Sequence, residues 1–487
     1  MSKGARSREA NAEKQKLKHE REVQEAKMRK VRKITAIVTT AVILLLVIVT
    51  VVGTLIYNSY MDKGEYLREE IAASSVNIDV DGAMMNYFFN DTYNTFVQYY
   101  GSYVEYYGLS STTSLKKQEI TEGQTWFEYF MSGAQTTVTN VLMLNESAAA
   151  NGVSLTADEI AAMKSRCERI DASLYGRGVN SEDIYNAKIL EALAYKYQSM
   201  KWDEFTPSTS EIQKYYNENK YDFQTASYMC YNIPWSDDGL TQEEAKKLAD
   251  ELAAAKTMDE YKAIVKREIL ADTPDVSEED LNTALENLNY EGATYSEGNE
   301  IYDWAFGEAK LYDTKIFTRD EYSMYSVFML TAEPVTDESE TVDVRHILFT
   351  ADAYGSAAKA LKKAEEVLAA FNAGDKSEES FALLALEWSE DSGSYYDGGL
   401  YTNVAEGEMV TEFNDWCFDS ARKTGDVEII ETSYGYHIMY FQGEGLNAWQ
   451  SEVETTLINE KLDAFTEEES AKYTVEFDTR VLNMIPG

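Results

Sequence analysis

Three cysteines, Cys167, Cys230 and Cys417, are spread through 487 residues. An odd and widely spaced set supplies neither a disulfide framework nor metal-ligand spacing. Cys230 and Cys417 sit in the apolar runs "YMCYNI" and "DWCF", where a thiol serves as a small core residue. No P-loop, GxSxG or HExxH pattern occurs, so none of those chemistries is signalled. Basic residues are few: Lys and Arg total 44 against 85 Asp and Glu, a formal net charge of −41. Residues 1–33 hold twelve Lys/Arg and five Glu, a net of +7, which leaves −48 for residues 34–487. That region has no basic patch, which argues against nucleic-acid binding. Its acidity reads as a solvated surface, which could also repel anionic wall polymers or collect divalent cations weakly; no defined metal site is expected. Histidine is equally rare, with only His19, His346 and His437.

One long run lacks charge altogether. "ITAIVTTAVILLLVIVTVVGTLI", residues 34–56, is 23 residues long and suffices to span a bilayer as a helix. Arg29, Lys30, Arg32 and Lys33 abut its start, so the positive-inside rule places residues 1–33 in the cytoplasm and the acidic remainder outside the cell. A cleaved signal peptide would have a shorter apolar region followed by small residues, whereas "YNSYMDKGEY" follows here. No cysteine precedes Cys167 to carry a lipid. The expectation is a single retained anchor in the cell membrane. The preceding "KQKLKHEREVQEAKMRKVRK" reads as a juxtamembrane helix drawn to anionic headgroups, or as a solvated tail.

Helical patterning opens the outer region. Phe89, Tyr93, Phe96, Tyr100, Tyr103 and Tyr107 alternate steps of four and three, an aromatic stripe on one helix face. The plainer expectation is a helix packed into an α-helical core; the sharper one is a groove for non-native polypeptide. In "TPSTSEIQKYYNENKYDF", Ser208 to Ser210 offer caps and Glu211 lies in the first turn. A repeat follows. "IYDWAFGEAKLYDTKIFTRDEYSMYSVFML" from residue 301 parallels "FNDWCFDSARKTGDVEIIETSYGYHIMYF" from residue 413, with Trp304 and Trp416, and Tyr325 and His437, each 112 positions apart. "ASYMCYNI" parallels "VRHILFTA", so Tyr228 stands where His346 stands. Each copy reads strand, helix, further helix, strand, strand, and only the second has histidines. "LTAEPVTDESETVD" between them reads as a linker.

The second copy resembles the parvulin-type peptidyl-prolyl isomerases over about residues 342–443, through "VRHILFT", "WSEDSGSYYDGG", "GEMVTEFNDWCF" and "TGDVEIIETSYGYHIMYF" and their spacing. The order of the wider chain is similar to the SurA- and PrsA-like foldases. The resemblance implies an α+β architecture. It comprises a basic tail (1–33), a transmembrane helix (34–56), an α-helical chaperone-like domain (57–221), a degenerate parvulin-like domain (222–335), a parvulin-type domain (340–445) and a C-terminal segment packing on the helical domain (446–487). Each parvulin-like domain would be a four-stranded antiparallel sheet with helices.

The same resemblance implies the site. His346 and His437 would hydrogen-bond on adjacent inner strands, with Thr432 fixing their tautomer and Asp391 at the position that carries Cys or Asp in the family. Met409 and Phe413 would wall a proline pocket, with Val404 at the position of a pocket Phe and Tyr434 also at the site. The turn "GGLYT" replaces the usual "GGDLG". The implied activity is peptidyl-prolyl cis–trans isomerisation (EC 5.2.1.8) on unfolded or partly folded secreted polypeptides containing X–Pro bonds. That reaction makes and breaks no bond and needs no metal or cofactor. For each histidine a catalytic and a bracing role both stay open. The alternative from another class is a holdase chaperone or assembly scaffold whose parvulin domains are catalytically silent. No basic cluster follows His346, which argues against a preference for phosphorylated substrates.

Overall fold

A computed structural model describes the backbone of residues 3–487, and the side chains within residues 3–41 only in part. The side chains of Arg29, Arg32 and Lys33, on which the topology reading draws, lie outside the described residues. Helix α1 (Lys3–Lys63) carries, at Val42–Lys63, 22 residues apolar enough to cross a membrane, none of them buried by the protein. At about 1.5 Å per residue this stretch matches the roughly 30 Å hydrocarbon core of a bilayer. It is the one such helix among the described residues.

The chain divides into two compact units. The first comprises Met1–Asn140, Ile170–Ala187 and Val475–Gly487. In it, β1 (Ile71–Ser74) pairs antiparallel with β2 (Asp79–Asp81) and with the C-terminal strand Glu476–Phe477. The carboxylate of Asp81 accepts from the Ala83 and Met84 N–H groups and so starts α2 (Gly82–Tyr100). Phe89 of the aromatic stripe is buried, and Tyr93 and Phe96 pack edge-on against Phe130 of α3 (Trp126–Ala150). The core reading does not extend to Tyr103 and Tyr107. The helix stops at Gly101, whose φ of +50° leaves helical space, and both tyrosines are exposed beyond it.

The second unit comprises Val141–Arg169 and Lys188–Thr474. Helices α4 (Ala157–Cys167), α5 (Ser181–Phe205, from Lys188 onward) and α6 (Thr209–Asn219) precede two sheets. Ser208 caps α6 in a reciprocal box with Glu211. The first sheet holds β3 (Gln224–Pro234), β4 (Asn289–Thr294), β5 (Thr314–Arg319) and β6 (Met324–Thr336) in the order β4-β3-β6-β5. Helices α7 (Gln242–Ala253) and α8 (Met258–Asp272) cover one of its faces. The second sheet holds β7 (Thr341–Phe349), β8 (Leu400–Ala405), β9 (Val427–Thr432) and β10 (Gly435–Glu444) in the matching order β8-β7-β10-β9. All pairings in both sheets are antiparallel.

Alternation along the central strands sends Ile347, Phe349, Ile438 and Tyr440 against α9 (Ala357–Ala373) and α10 (Glu378–Trp388). The opposite residues, Val344, Met439 and Phe441, pack on α11 (Thr411–Cys417) through Phe413 and Trp416. Each such buried side chain stabilises the module by about 1.5–3 kcal/mol. Helix α12 (Ala448–Lys472) lies in the same unit, its Trp449 ring 4.5 Å from that of Tyr216 on α6.

Register corrects one equivalence between the copies. Tyr228 pairs with Leu330 as His346 pairs with Met439. The residue opposite Cys230, which matches Leu348, is Phe328, and it holds the place of His437. Tyr325 instead points into the helix-covered core with Tyr261 and Leu248. The β5–β6 hairpin turns through residues 320–323, against only Ser433 and Tyr434 in β9–β10, so a gapless comparison misplaces the last strand.

Candidate active site

The face of the second sheet under α11 carries both histidines. His346 stands on β7 and His437 on the neighbouring β10, 3 % and 5 % exposed. Their Nδ1 atoms are 3.0 Å apart and their rings stack at 5.2 Å. The chain of bonds continues both ways. Thr432 Oγ1 lies 2.8 Å from His437 Nε2, and Asp391 Oδ2 lies 3.0 Å from His346 Nε2. Ser394 and Tyr401 also donate their hydroxyls to Asp391 Oδ2, Tyr401 at 3.1 Å.

Satisfaction of these groups sets the tautomers. Asp391 as a carboxylate accepts the His346 Nε2–H. The His346 Nδ1 then accepts the His437 Nδ1–H, and His437 Nε2 accepts from Thr432. Thr432 Oγ1 in turn accepts the Tyr434 N–H at 3.1 Å. Electrostatics favours the same assignment. Burial opposes ionisation of Asp391, but the hydrogen bonds from His346, Ser394 and Tyr401 outweigh it and hold the carboxyl below its usual range. Burial, followed by the neighbouring His346, pushes His437 down to about 3, so it stays neutral. Burial and the Asp391 charge both raise Tyr401, which remains a donor.

Two glycines allow the close approach. Gly399 (φ +78°) sits where a Cβ would fall 2.1 Å from the His346 carbonyl oxygen, and its own carbonyl accepts the His346 N–H at 2.8 Å. Gly435 (φ +140°) begins β10 after the two-residue turn, where a Cβ would meet the Phe349 carbonyl oxygen.

The wall is apolar. Phe413 meets both imidazoles edge-on, at 5.6 and 5.8 Å, and Met409 packs half-buried in the same cluster. Val404, 2 % exposed, packs in the same cluster as Phe413, 3 % exposed, and lies opposite Val342 of β7. Tyr401 on the same strand lies 5.3 Å from His346. The Tyr434 side chain is 65 % exposed, and its backbone rather than its ring reaches the network. Sequence reasoning also missed Ser394 and Ser389. The only signal was the run of short polar residues around Asp391 in "WSEDSGS".

The low pKa of His437 has a pH consequence. The unfolded imidazole protonates near 6.5 and the folded one only near about 3, so below pH 6.5 the unfolded chain binds more protons. The stability of the second sheet is therefore unaffected by this group above pH 6.5 and falls as pH drops from 6.5 toward 3. Amide-exchange protection of β7 and β10 should decline over that window, and His437→Gln should flatten the decline. An equal decline in the variant would assign it to other groups.

A histidine pair braced by a threonine and a carboxylate thus lies on a four-stranded sheet of order β8-β7-β10-β9. Residues 327–444 match the PPIC-type PPIASE domain family. Similar relatives are the foldase protein PrsA 3 of Bacillus anthracis, 42 % identical over 79 residues, and the foldase protein PrsA 4 of Bacillus cereus, 29 % identical over 182 residues. These alignments cover 16 % and 36 % of this chain, and 26 % and 58 % of the relatives' own lengths. Among solved structures, PrsA from Bacillus subtilis aligns over 63 % of this chain and 91 % of its own at 21 % identity, with a TM-score of 0.20.

Proposed function

We propose that this chain is a membrane-anchored, extracytoplasmic peptidyl-prolyl isomerase and foldase acting on unfolded or partly folded secreted polypeptides. The observation that carries the reading is the continuous network Thr432–His437–His346–Asp391 under the Phe413 wall, within the residues that match the isomerase family. Amide resonance sets a rotation barrier of about 18–20 kcal/mol, and it places partial negative charge on the carbonyl oxygen of the planar forms. Twisting removes that charge. An Asp391 carboxylate held ionised beside the carbonyl disfavours the planar forms more than the twisted one and so lowers the barrier. Both histidines are buried, so they act by fixing Asp391 and the pocket floor. Met409 and Phe413 seat the proline ring.

The first sheet is read as a second parvulin-like module, with Tyr228 and Phe328 at the histidine positions and their rings 5.2 Å apart. That aromatic pair favours binding without turnover there, so a holdase contribution stands beside the catalytic one. Proline-limited refolding with the full chain tests the main reading. Acceleration that tracks Asp391 supports it, and suppression of aggregation without acceleration supports the holdase alone.

The anchor reading has its own test. In a bacterial cell expressing the chain, protease added outside should digest residues 57–487 and spare the tail before Ile34. A mature chain beginning after residue 56 would overturn the anchor.

A further inference from the structure

The loop bearing Asp391 is gripped from outside the residues that match the isomerase family. Arg166, at the end of α4, donates from Nη1 to the Ser389 carbonyl at 2.8 Å, and its guanidinium lies 3.8 Å from the centroid of the Tyr395 ring. Arg169 donates to the Glu387 carbonyl and lies 4.0 Å from the Trp388 ring centroid. From α5, Lys188 Nζ bonds the Tyr395 hydroxyl at 3.2 Å and Glu191 at 2.9 Å, and Glu191 accepts the Tyr396 hydroxyl at 2.6 Å. Lys188, Glu191 and Tyr395 are all buried.

These grips bracket Asp391 on both sides. Ser389, which Arg166 holds by its carbonyl, accepts the Asp391 N–H on its own hydroxyl at 3.2 Å and the Leu348 N–H at 3.1 Å. Ser394, next to Tyr395, donates to the Asp391 carboxylate. A half-buried arginine, Arg166, and a buried lysine, Lys188, therefore direct donors to the loop of one carboxylate. Burying a charge is costly unless it is paired and hydrogen-bonded, and here the pairing is spent on loop geometry.

We infer that Arg166, with Lys188 in support, is a positioning residue for isomerisation: the helices α4 and α5 complete the active site by fixing the Asp391 loop. The inference rests on the reading of Asp391 as part of the isomerase site. Arg166 touches no substrate, so its loss should leave ligand affinity intact and lower turnover.

The test uses the full chain and a short X–Pro peptide whose cis–trans exchange is followed by NMR. Arg166→Met should lower kcat at least about tenfold with KM unchanged, as expected when a positioning contact far from the chemistry is lost. Arg166→Lys, which keeps the charge but not the flat stack, should recover part of it and serves as the test if the Met variant does not fold. In an Asp391→Asn background, Arg166→Met should add no further loss, because the group it positions is already altered. Unchanged kcat in both Arg166 variants overturns the inference. So does an equal further loss in the Asp391→Asn background, which would mark a general effect on the fold. Full activity of Asp391→Asn alone would instead remove the underlying site reading.

Discussion

Asp391→Asn should lower catalysed X–Pro isomerisation by roughly 10- to 10²-fold, near or below the roughly 10²–10³ lost with an oxyanion-hole donor, because no full charge develops on a rotating amide. Asparagine keeps the size of the side chain and one accepting oxygen for the donors that converge on Asp391 Oδ2: His346, Ser394 and Tyr401. It removes the charge. The fold should therefore be nearly unaffected while turnover falls. Asp391→Ala is a poorer probe, since it removes the acceptor shared by His346, Ser394 and Tyr401 and leaves the His346 Nε2–H only the Ser394 hydroxyl, 3.2 Å away, at a cost of about 1–3 kcal/mol. Measuring kcat and thermal unfolding on the same Asn variant separates the two effects. Lost stability with retained turnover would make Asp391 a loop brace only.

Phe413→Ala should produce the largest stability loss of any single change at the site, about 3–5 kcal/mol. The ring is buried in the cluster with Val344, Trp416, Met439 and Phe441, and it closes the edge-on contacts to His346 and His437. Truncation opens a cavity directly above the imidazoles. Water entering there would hydrate His437 and return its pKa toward the ordinary value, so NMR titration of His437 should shift upward in the variant. Phe413→Leu should recover most of the stability but not the edge-on geometry. A Phe413→Ala chain that unfolds like wild type would mean that the α11 wall is not part of the core.

The distribution of these effects shows what was legible in the sequence. That His346, His437, Thr432 and Asp391 come together was readable because the resemblance places them at fixed offsets within strands and one short loop. Phe413 was readable as wall, but not as core, because burial depends on β7, β10 and α11 converging. The burial of Val404 was not legible, because an offset says nothing of which way a residue on the irregular strand β8 faces; the register between β8 and β7 shifts between Tyr401 and Val404. Tyr325 was misplaced because a longer hairpin slides β6 against β3. The Arg166 grip was invisible for a more general reason. It joins residues more than 200 positions apart, and only the packing of α4 on α10 brings them together.

The most direct measurement is NMR exchange spectroscopy on a short X–Pro peptide with catalytic amounts of the full chain. The account predicts cis–trans exchange far faster than the uncatalysed tens to hundreds of seconds, reduced in Asp391→Asn at unchanged peptide affinity. Peptide line-broadening from binding with no acceleration of exchange by the wild-type chain would contradict it.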